Sequence, residues 1–156
     1  MRKISDHISY KEATRSITAK RLGIENTPTM EHTYNMQVLA EKVFEPLRSH
    51  VNKPICINSM YRCGLLNKTV GGSMTSQHCK GQAMDIDDKY GHATNAEMFE
   101  FIKNNLDFDQ MIWEFGDGEN PDWVHVSYVS EEKNRNQMLR AYKNRGKTAY
   151  KVIKWK

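Results

Sequence analysis

Two short apolar runs in the second half of the sequence constrain the fold more than any other feature. Residues 108–115 (FDQMIWEF) and 122–129 (DWVHVSYV) are rich in aromatic and β-branched side chains, and residues 116–121 (GDGENP) between them are mostly turn formers. This combination predicts a β-hairpin. A mainly antiparallel sheet is therefore expected in the fold.

Three helices are predicted around this sheet. Residues 9–23 begin with the capping pair Ser9 and Glu12 and end at a glycine, which indicates a short helix. Residues 27–51 carry apolar side chains at steps of three and four, as in a core helix, with Pro46 kinking or ending it. Residues 94–106 form a third, capped amphipathic pattern.

The remaining segments predict shorter elements. Residues 53–62 and 82–88 favour strands, residues 136–144 a weak helix, and residues 148–155 a possible last strand. The glycines in 71–76 indicate a loop. We expect an α+β fold, a small single domain over residues 1–156 with a mainly antiparallel sheet and flanking helices.

Composition limits the class of protein. Of the 156 residues, 38% are apolar and 27% charged, which suits one folded domain rather than a disordered chain. No stretch approaches the roughly 20 apolar residues of a membrane span, and the first ten residues lack the apolar segment of a signal peptide. The three cysteines match no CxxC spacing, so we expect free thiols in a reducing compartment.

Charge is concentrated at the C-terminal end. The net charge is +4, but residues 131–156 contain nine Lys or Arg against two Glu. Such a basic tail suits an anionic polymer, either nucleic acid or cell wall, although a solvated surface is the commoner explanation. Aromatic residues are interleaved with these cations, but no nucleic-acid recognition motif accompanies them, so we expect no nucleic-acid partner.

Residues 76–87 (SQHCKGQAMDID) contain candidate metal ligands. A loop that turns at Gly81 and runs into a strand can bring His78 and Asp85 to one ion. His125 is a third candidate, since it lies between two valines in a predicted strand and its imidazole faces away from both. Three protein ligands with an open position are typical of catalytic zinc, whereas an isolated histidine in a strand is more often merely packed or hydrogen-bonded.

The complete pattern resembles a known family. S-x-H-x-x-G-x-A-x-D at residues 76–85, followed by WVHV at residues 123–126, is similar to the zinc peptidases of family M15, which act on D-alanyl-D-alanine and related peptidoglycan peptides. The resemblance extends over five separated blocks and is closest to the branch found in phage and bacterial wall hydrolases. These blocks are residues 4–28, 45–48, 57–62, 66–87 and 121–128.

The resemblance implies roles for individual residues. The three candidate ligands match the family's zinc ligands, so Zn²⁺ is the expected cofactor, held between a central loop and strand and the C-terminal hairpin. Arg62 matches an arginine that holds the substrate carbonyl or carboxylate; the alternative is a structural salt bridge. Ser76 and Gln77 would line the approach to the metal. Cys79 falls at a position that the family does not use for zinc.

The general base has two candidates. Many relatives place an acidic residue three positions before the last histidine, which selects Asp122. The related zinc fold of the hedgehog signalling domain has a strand pattern that selects Glu114, which in the predicted hairpin lies nearly opposite His125. We favour Glu114, with Glu119 as a weaker third candidate.

The resemblance implies a zinc-dependent hydrolase of a peptide bond in peptidoglycan stem peptides or cross-links, with an endopeptidase favoured. A D-alanyl-D-alanine carboxypeptidase and a non-catalytic wall-binding module are the alternatives. We expect a monomer made in the cytoplasm without a signal peptide. It would act on the bacterial cell wall after release, as a lysin, or as part of a virion.

Overall fold

The computed structural model describes residues 2–155; Met1 and Lys156, the last cation of the basic tail, lie outside the described residues. The first half of the chain forms β1 (Lys3–Ser5), β2 (Ile8–Ser9), α1 (Tyr10–Thr14), α2 (Ile17–Leu22), α3 (Met30–Leu39), a π-helical segment (Ala40–Phe44), α4 (Glu45–Val51), β3 (Cys56–Ser59) and α5 (Gly64–Thr69). The second half forms a 3₁₀ helix (Gln77–Lys80), β4 (Ala83–Asp87), α6 (Asn95–Asn105), β5 (Gln110–Glu114), β6 (Trp123–Ser127), β7 (Gln137–Asn144) and β8 (Lys147–Ile153).

A six-stranded sheet forms the centre of the fold, with the spatial order β3-β4-β6-β5-β7-β8. Neighbouring strands are antiparallel except β5 and β7, which are parallel. The predicted α+β class is confirmed, and so is the hairpin, which consists of β5 and β6. A separate two-stranded ribbon, β1 and β2, precedes the first helix.

The prediction of one helix over residues 9–23 is wrong. The chain forms α1 and α2 instead, because Arg15 and Ser16 have extended backbone angles between them. The Ser16 side chain accepts a hydrogen bond from the Ala19 amide, so it caps a new helix rather than continuing the first. Ser9 caps α1 as predicted, and Gly23 ends α2 in the left-handed conformation.

The core helix predicted over residues 27–51 continues past Pro46 to Val51, but not as a regular α-helix. The π-helical segment from Ala40 to Phe44 lies immediately before the proline. Pro46 has no N–H to donate to the carbonyl four residues earlier, and its ring crowds that carbonyl. A locally widened turn accommodates both effects, so the proline distorts the helix without ending it.

The weak helix predicted over residues 136–144 is also wrong, because this segment is β7. It pairs with β5 at five positions in parallel register, from Gln110 with Gln137 to Glu114 with Ala141. Met138 is 1% exposed and belongs to the core, so burial against the sheet outweighs a weak local preference. The last strand predicted within residues 148–155 is confirmed as β8.

One face of the sheet packs against the helices and forms the core. The strands contribute Met84, Ile86, Met111, Val124, Val126 and Met138, and the helices contribute Met36, Leu39, Val43, Phe44, Leu47 and Ile102. Side chains alternate between the two faces of a strand, so the residues between these positions point to the other face. That face is the floor of an open cleft.

Within residues 2–155, the structure contains no helix long and apolar enough to cross a membrane. The cysteines it describes, Cys56, Cys63 and Cys79, are all free thiols, as the sequence predicts.

Gly81, which ends the 3₁₀ helix, gives the first test. It has a φ of +73°, and an added Cβ would overlap the carbonyl oxygen of His32. We expect Gly81→Ala to lower the free energy of unfolding by about 2–3 kcal/mol, because left-handed strain and a backbone overlap add together. Urea denaturation measures the loss.

Gly91 is the matched control. Its φ is also +73°, but a Cβ there would meet no atom within 4 Å. Gly91→Ala should therefore cost only the backbone strain, about 1 kcal/mol. Equal losses in the two variants would contradict the role of close packing at Gly81.

Candidate metal centre

Three side chains from different elements meet on the open face of the sheet. His78 lies on the 3₁₀ helix, Asp85 on β4 and His125 on β6, and their ligand atoms all lie within 4.8 Å of one another. Asp85 and His125 are directly paired in the β4–β6 register. Directly paired residues project from the same face of a sheet, so this pairing alone brings the carboxylate and the imidazole together.

His78 is held in a defined orientation. The imidazole is 2% exposed, and its Nδ1 lies 2.7 Å from the Met60 carbonyl oxygen. A carbonyl oxygen only accepts, so Nδ1 carries the proton and Nε2 presents a lone pair. Nε2 is buried without a hydrogen-bond partner, although Asp85 Oδ2 is 3.4 Å away. A buried acceptor of this kind is costly unless something binds it.

The electrostatics of Asp85 complete the group. Burial alone would raise its pKa, but the positive charge that His78 and His125 carry when they are protonated holds that pKa well below its usual range. Nδ1 of His125 lies 3.1 Å from Asp85 Oδ1. Two imidazole nitrogens and one carboxylate oxygen form a donor set that fits a divalent metal such as zinc. One of these atoms, His78 Nε2, is buried and has no hydrogen-bond partner.

Glu114 lies on the same face, but not at the position expected from the sequence. The predicted placement nearly opposite His125 is wrong in register, because β6 pairs His125 with Ile112 and Glu114 with Trp123. Glu114 is therefore the diagonal neighbour of His125, still within reach across the hairpin. Burial, increased by the Asp85 charge and opposed by His125, raises the pKa of Glu114 to about 7.

The other two acidic candidates lie elsewhere. Asp122 and Glu119 are exposed. Neither belongs to the residues that line the cleft, whereas Glu114 does. The geometry thus brings only Glu114 of the three to the metal ligands. Asp122 donates its backbone N–H to the Glu114 carbonyl and so helps to close the hairpin.

Arg62 reaches the cleft from the segment after β3. Its backbone N–H donates to the His78 carbonyl at 3.1 Å, which ties it to the metal-ligand segment. Its Nε is buried without a hydrogen-bond partner, and among residues 2–155 it forms no ion pair. A structural salt bridge, the alternative considered from sequence, is thus not observed in the described part of the chain.

Ser76 and Gln77 both line the cleft, as expected, and each also has a structural contact. The Ser76 hydroxyl accepts from the His78 amide at 3.3 Å and caps the 3₁₀ helix. The Gln77 amide donates to Asp109 at 2.8 Å, and Asp109 also pairs with Arg135. Burial raises the Asp109 pKa, but these hydrogen bonds outweigh burial and lower it overall.

The cleft extends beyond the residues predicted from sequence. Its volume is about 1600 Å³, including the solvent to which it is open. On the side of the hairpin it is lined by Gln110, Ile112, Trp123, Arg135, Leu139, Thr148 and Tyr150. Leu139 belongs to β7, which the sequence did not predict because residues 136–144 favoured a helix, and Thr148 and Tyr150 belong to β8. The two buried residues of β7, Met138 and Ala141, are three positions apart, so this segment carries no alternation that would have identified it as a strand.

Cys79 is adjacent to His78 but does not belong to the ligand group within the described residues. Its thiol is half-buried, and burial raises its pKa, which disfavours the thiolate that would bind a metal.

Comparison with known proteins agrees with this geometry. No curated protein matches the chain in sequence. Residues 6–127, well over half of the chain, match the Peptidase M15 family, and this region contains all three clustered ligands together with Arg62 and Glu114. A His, Asp, His group in a cleft, with a buried acidic residue beside it, fits a metal-dependent peptidase. The chain is therefore a member of the peptidase M15 family, whose members are metal-dependent hydrolases of peptide bonds.

Proposed function

We propose that the protein is a zinc-dependent endopeptidase that hydrolyses a peptide bond in peptidoglycan. The observation that carries this proposal is the orphaned Nε2 of His78, which faces Asp85 and His125 in a cleft that also contains Glu114. These three ligands would hold Zn²⁺. When bound, the ion supplies Lewis acidity that polarises the substrate carbonyl and favours deprotonation of water.

Glu114 supplies the proton transfers. In the hydrolysis its carboxylate takes a proton from the attacking water and then gives a proton to the nitrogen of the leaving amine. A pKa of about 7 suits both steps, because the group is then able to accept and to release a proton near neutral pH. Burial beside the metal ligands is the physical cause of this value.

Arg62 stabilises negative charge on the substrate. Arg62 lines the cleft, and the hydrogen bond from its backbone N–H to the His78 carbonyl ties its segment to that of a metal ligand. A guanidinium fork donates two parallel hydrogen bonds to a carboxylate or to a developing oxyanion. We assign Arg62 the second role, on the carbonyl oxygen of the bond that is cut.

An endopeptidase is favoured over a carboxypeptidase because the cleft is open and continues past the metal ligands along the sheet. A substrate with chain on both sides of the scissile bond would use this length, whereas a terminal dipeptide would leave most of it empty. We propose that the protein acts as a monomer on the bacterial cell wall, after release from a cell or as part of a virion.

The metal assignment predicts a clear pattern in single variants. His78→Ala, Asp85→Ala and His125→Ala should each weaken zinc binding by roughly 100-fold or more, because each removes one of three ligands. Cys79→Ser, next to His78, is the control and should bind zinc like the parent. Metal content and competition with a chelator measure this, and full zinc retention in His125→Ala would refute the assignment.

The assignment of the base predicts a separation of metal binding from turnover. Glu114→Gln keeps the shape of the side chain and removes its basicity, so kcat should fall by roughly 100-fold or more with zinc still bound. Asp122→Asn is the matched control and should have a much smaller effect, since Asp122 is exposed outside the cleft. The reverse order would make Asp122 the base.

The effect of Arg62→Ala on kcat and KM distinguishes an endopeptidase from a carboxypeptidase. In an endopeptidase this change should mainly lower kcat, because the arginine acts on charge that develops in the transition state. In a carboxypeptidase it should mainly raise KM, because the substrate carboxylate is charged throughout. The measurement is steady-state kinetics on a soluble cross-linked peptide dimer from peptidoglycan.

Digestion of whole sacculi gives an independent check of the same assignment. Mass spectrometry should find cleaved cross-links, or stem peptides that have been cut at an internal peptide bond. Release of free D-alanine alone, from sacculi and from a stem pentapeptide equally, would make the protein a carboxypeptidase. No hydrolysis of either substrate by the zinc-loaded protein would favour a non-catalytic wall-binding module.

A further inference from the structure

The last two strands, β7 and β8, follow residue 127, where the match to the peptidase family ends, yet they form part of the cleft wall. We infer that they form a subsite for the stretch of peptide substrate that extends away from the scissile bond, with Tyr150 as a specificity-determining residue. The inference rests on the proposed function for the nature of the substrate. The strand register that positions the subsite does not depend on that function.

Strand register places this subsite in line with the metal ligands. Asp85 pairs with His125, His125 with Ile112, Ile112 with Leu139, and Leu139 with Val152. Paired residues project from the same face, so one continuous row of side chains crosses β4, β6, β5, β7 and β8. The row begins with two ligands and ends with three aliphatic residues.

A second row runs parallel to the first, on the same face. It connects Trp123, Glu114, Ala141 and Tyr150. Only the small Ala141 separates the carboxylate from the tyrosine along this row. Burial, and then the Glu114 charge, raises the pKa of the Tyr150 hydroxyl, as expected if the two groups are near each other.

The distance from the ligands defines which substrates can use the subsite. Neighbouring strands lie about 4.8 Å apart, so β8 is about 14 Å from β6 across the sheet. An extended peptide rises about 3.4 Å per residue, and about four residues span that distance. A terminal dipeptide held at the metal cannot reach Tyr150, whereas a stem peptide that continues through a cross-link can.

The side chains nearest Tyr150 on this face are mainly apolar, and two cations lie farther along it: Arg135 lines the cleft, and Lys143 donates to Thr148. Tyr150 is 55% exposed and Val152 58% exposed, so two large apolar side chains at adjacent positions on this face are open to solvent. Arg140 and Lys151, two cations of the basic tail, pair with each other and project from the opposite face. This part of the cleft therefore suits aliphatic groups of a peptide, such as the alanine methyl group and the methylene chain of a diamino acid.

Binding to a protein that cannot turn over tests the subsite directly. In the Glu114→Gln background, Tyr150→Ala should weaken binding of a soluble cross-linked peptide dimer by roughly tenfold, the typical loss of one aromatic contact. Binding of the dipeptide D-alanyl-D-alanine, which spans only about 7 Å and is too short to reach β8, should be unchanged. Tyr150→Phe should bind the dimer like the parent, since it keeps the ring. Titration calorimetry on the zinc-loaded protein measures all three.

Tyr142 provides the matched control. It is 41% exposed in the same pair of strands, but it alternates with Ala141 and so projects from the face opposite to the cleft. Tyr142→Ala should bind both probes like the parent. The inference would be overturned if Tyr142→Ala weakened binding of the dimer as much as Tyr150→Ala does. It would also be overturned if Tyr150→Ala weakened binding of both probes equally, or of neither.

Turnover by the protein with Glu114 intact separates this inference from the proposed function. If neither probe is hydrolysed, the proposed function fails, and the selective effect of Tyr150→Ala on dimer binding still supports the subsite. If the dimer is hydrolysed but Tyr150→Ala does not lower the kcat/KM value for it, the subsite is wrong while the peptidase assignment stands.

Discussion

Asp85 and His125 are 40 residues apart in sequence, yet they are directly paired across β4 and β6. The pairing is held in register by the two residues that flank His125, since Val124 and Val126 are fully buried on the helix side of the sheet. A slip of one residue would expose both valines and turn the histidine into the core. The hydrophobic core therefore fixes the spacing of the ligands, and the rest of the cleft is built around that pairing.

The third ligand depends on a different interaction. His78 is buried and its Nδ1–H donates to the Met60 carbonyl, so its Nε2 lone pair is directed toward Asp85. This backbone contact selects the tautomer, as outer contacts of metal-binding histidines generally do. Arg62 belongs to the same short segment and returns a hydrogen bond to the His78 carbonyl. Ligand orientation and the position of the cation are consequently coupled through one stretch of backbone.

Two acidic side chains on the same face of the sheet have opposite electrostatic environments. Two imidazoles hold the pKa of Asp85 low, which keeps it a ligand anion, whereas burial raises the pKa of Glu114 to about 7. When two carboxyl groups in one site have different pKa values, the one with the low pKa stays ionised and can bind a metal, and the one with the raised pKa can transfer protons. The proposed division of roles follows from where each side chain lies in the sheet rather than from its residue type.

The sequence by itself determined the elements with strong local signals: the turn-rich hairpin, the capped helix α6, and the three ligand candidates with a family resemblance across several blocks. It did not determine β7, where a weak helical pattern gave way to parallel pairing with β5, nor the break at Ser16. It placed Glu114 nearly opposite His125, whereas the sheet holds it two residues farther along, opposite Trp123. Local signals specify caps, turns and alternation, because these depend on neighbouring residues. Which strands pair, and in what register, depends on burying the whole apolar face at once, so only the tertiary structure decided it.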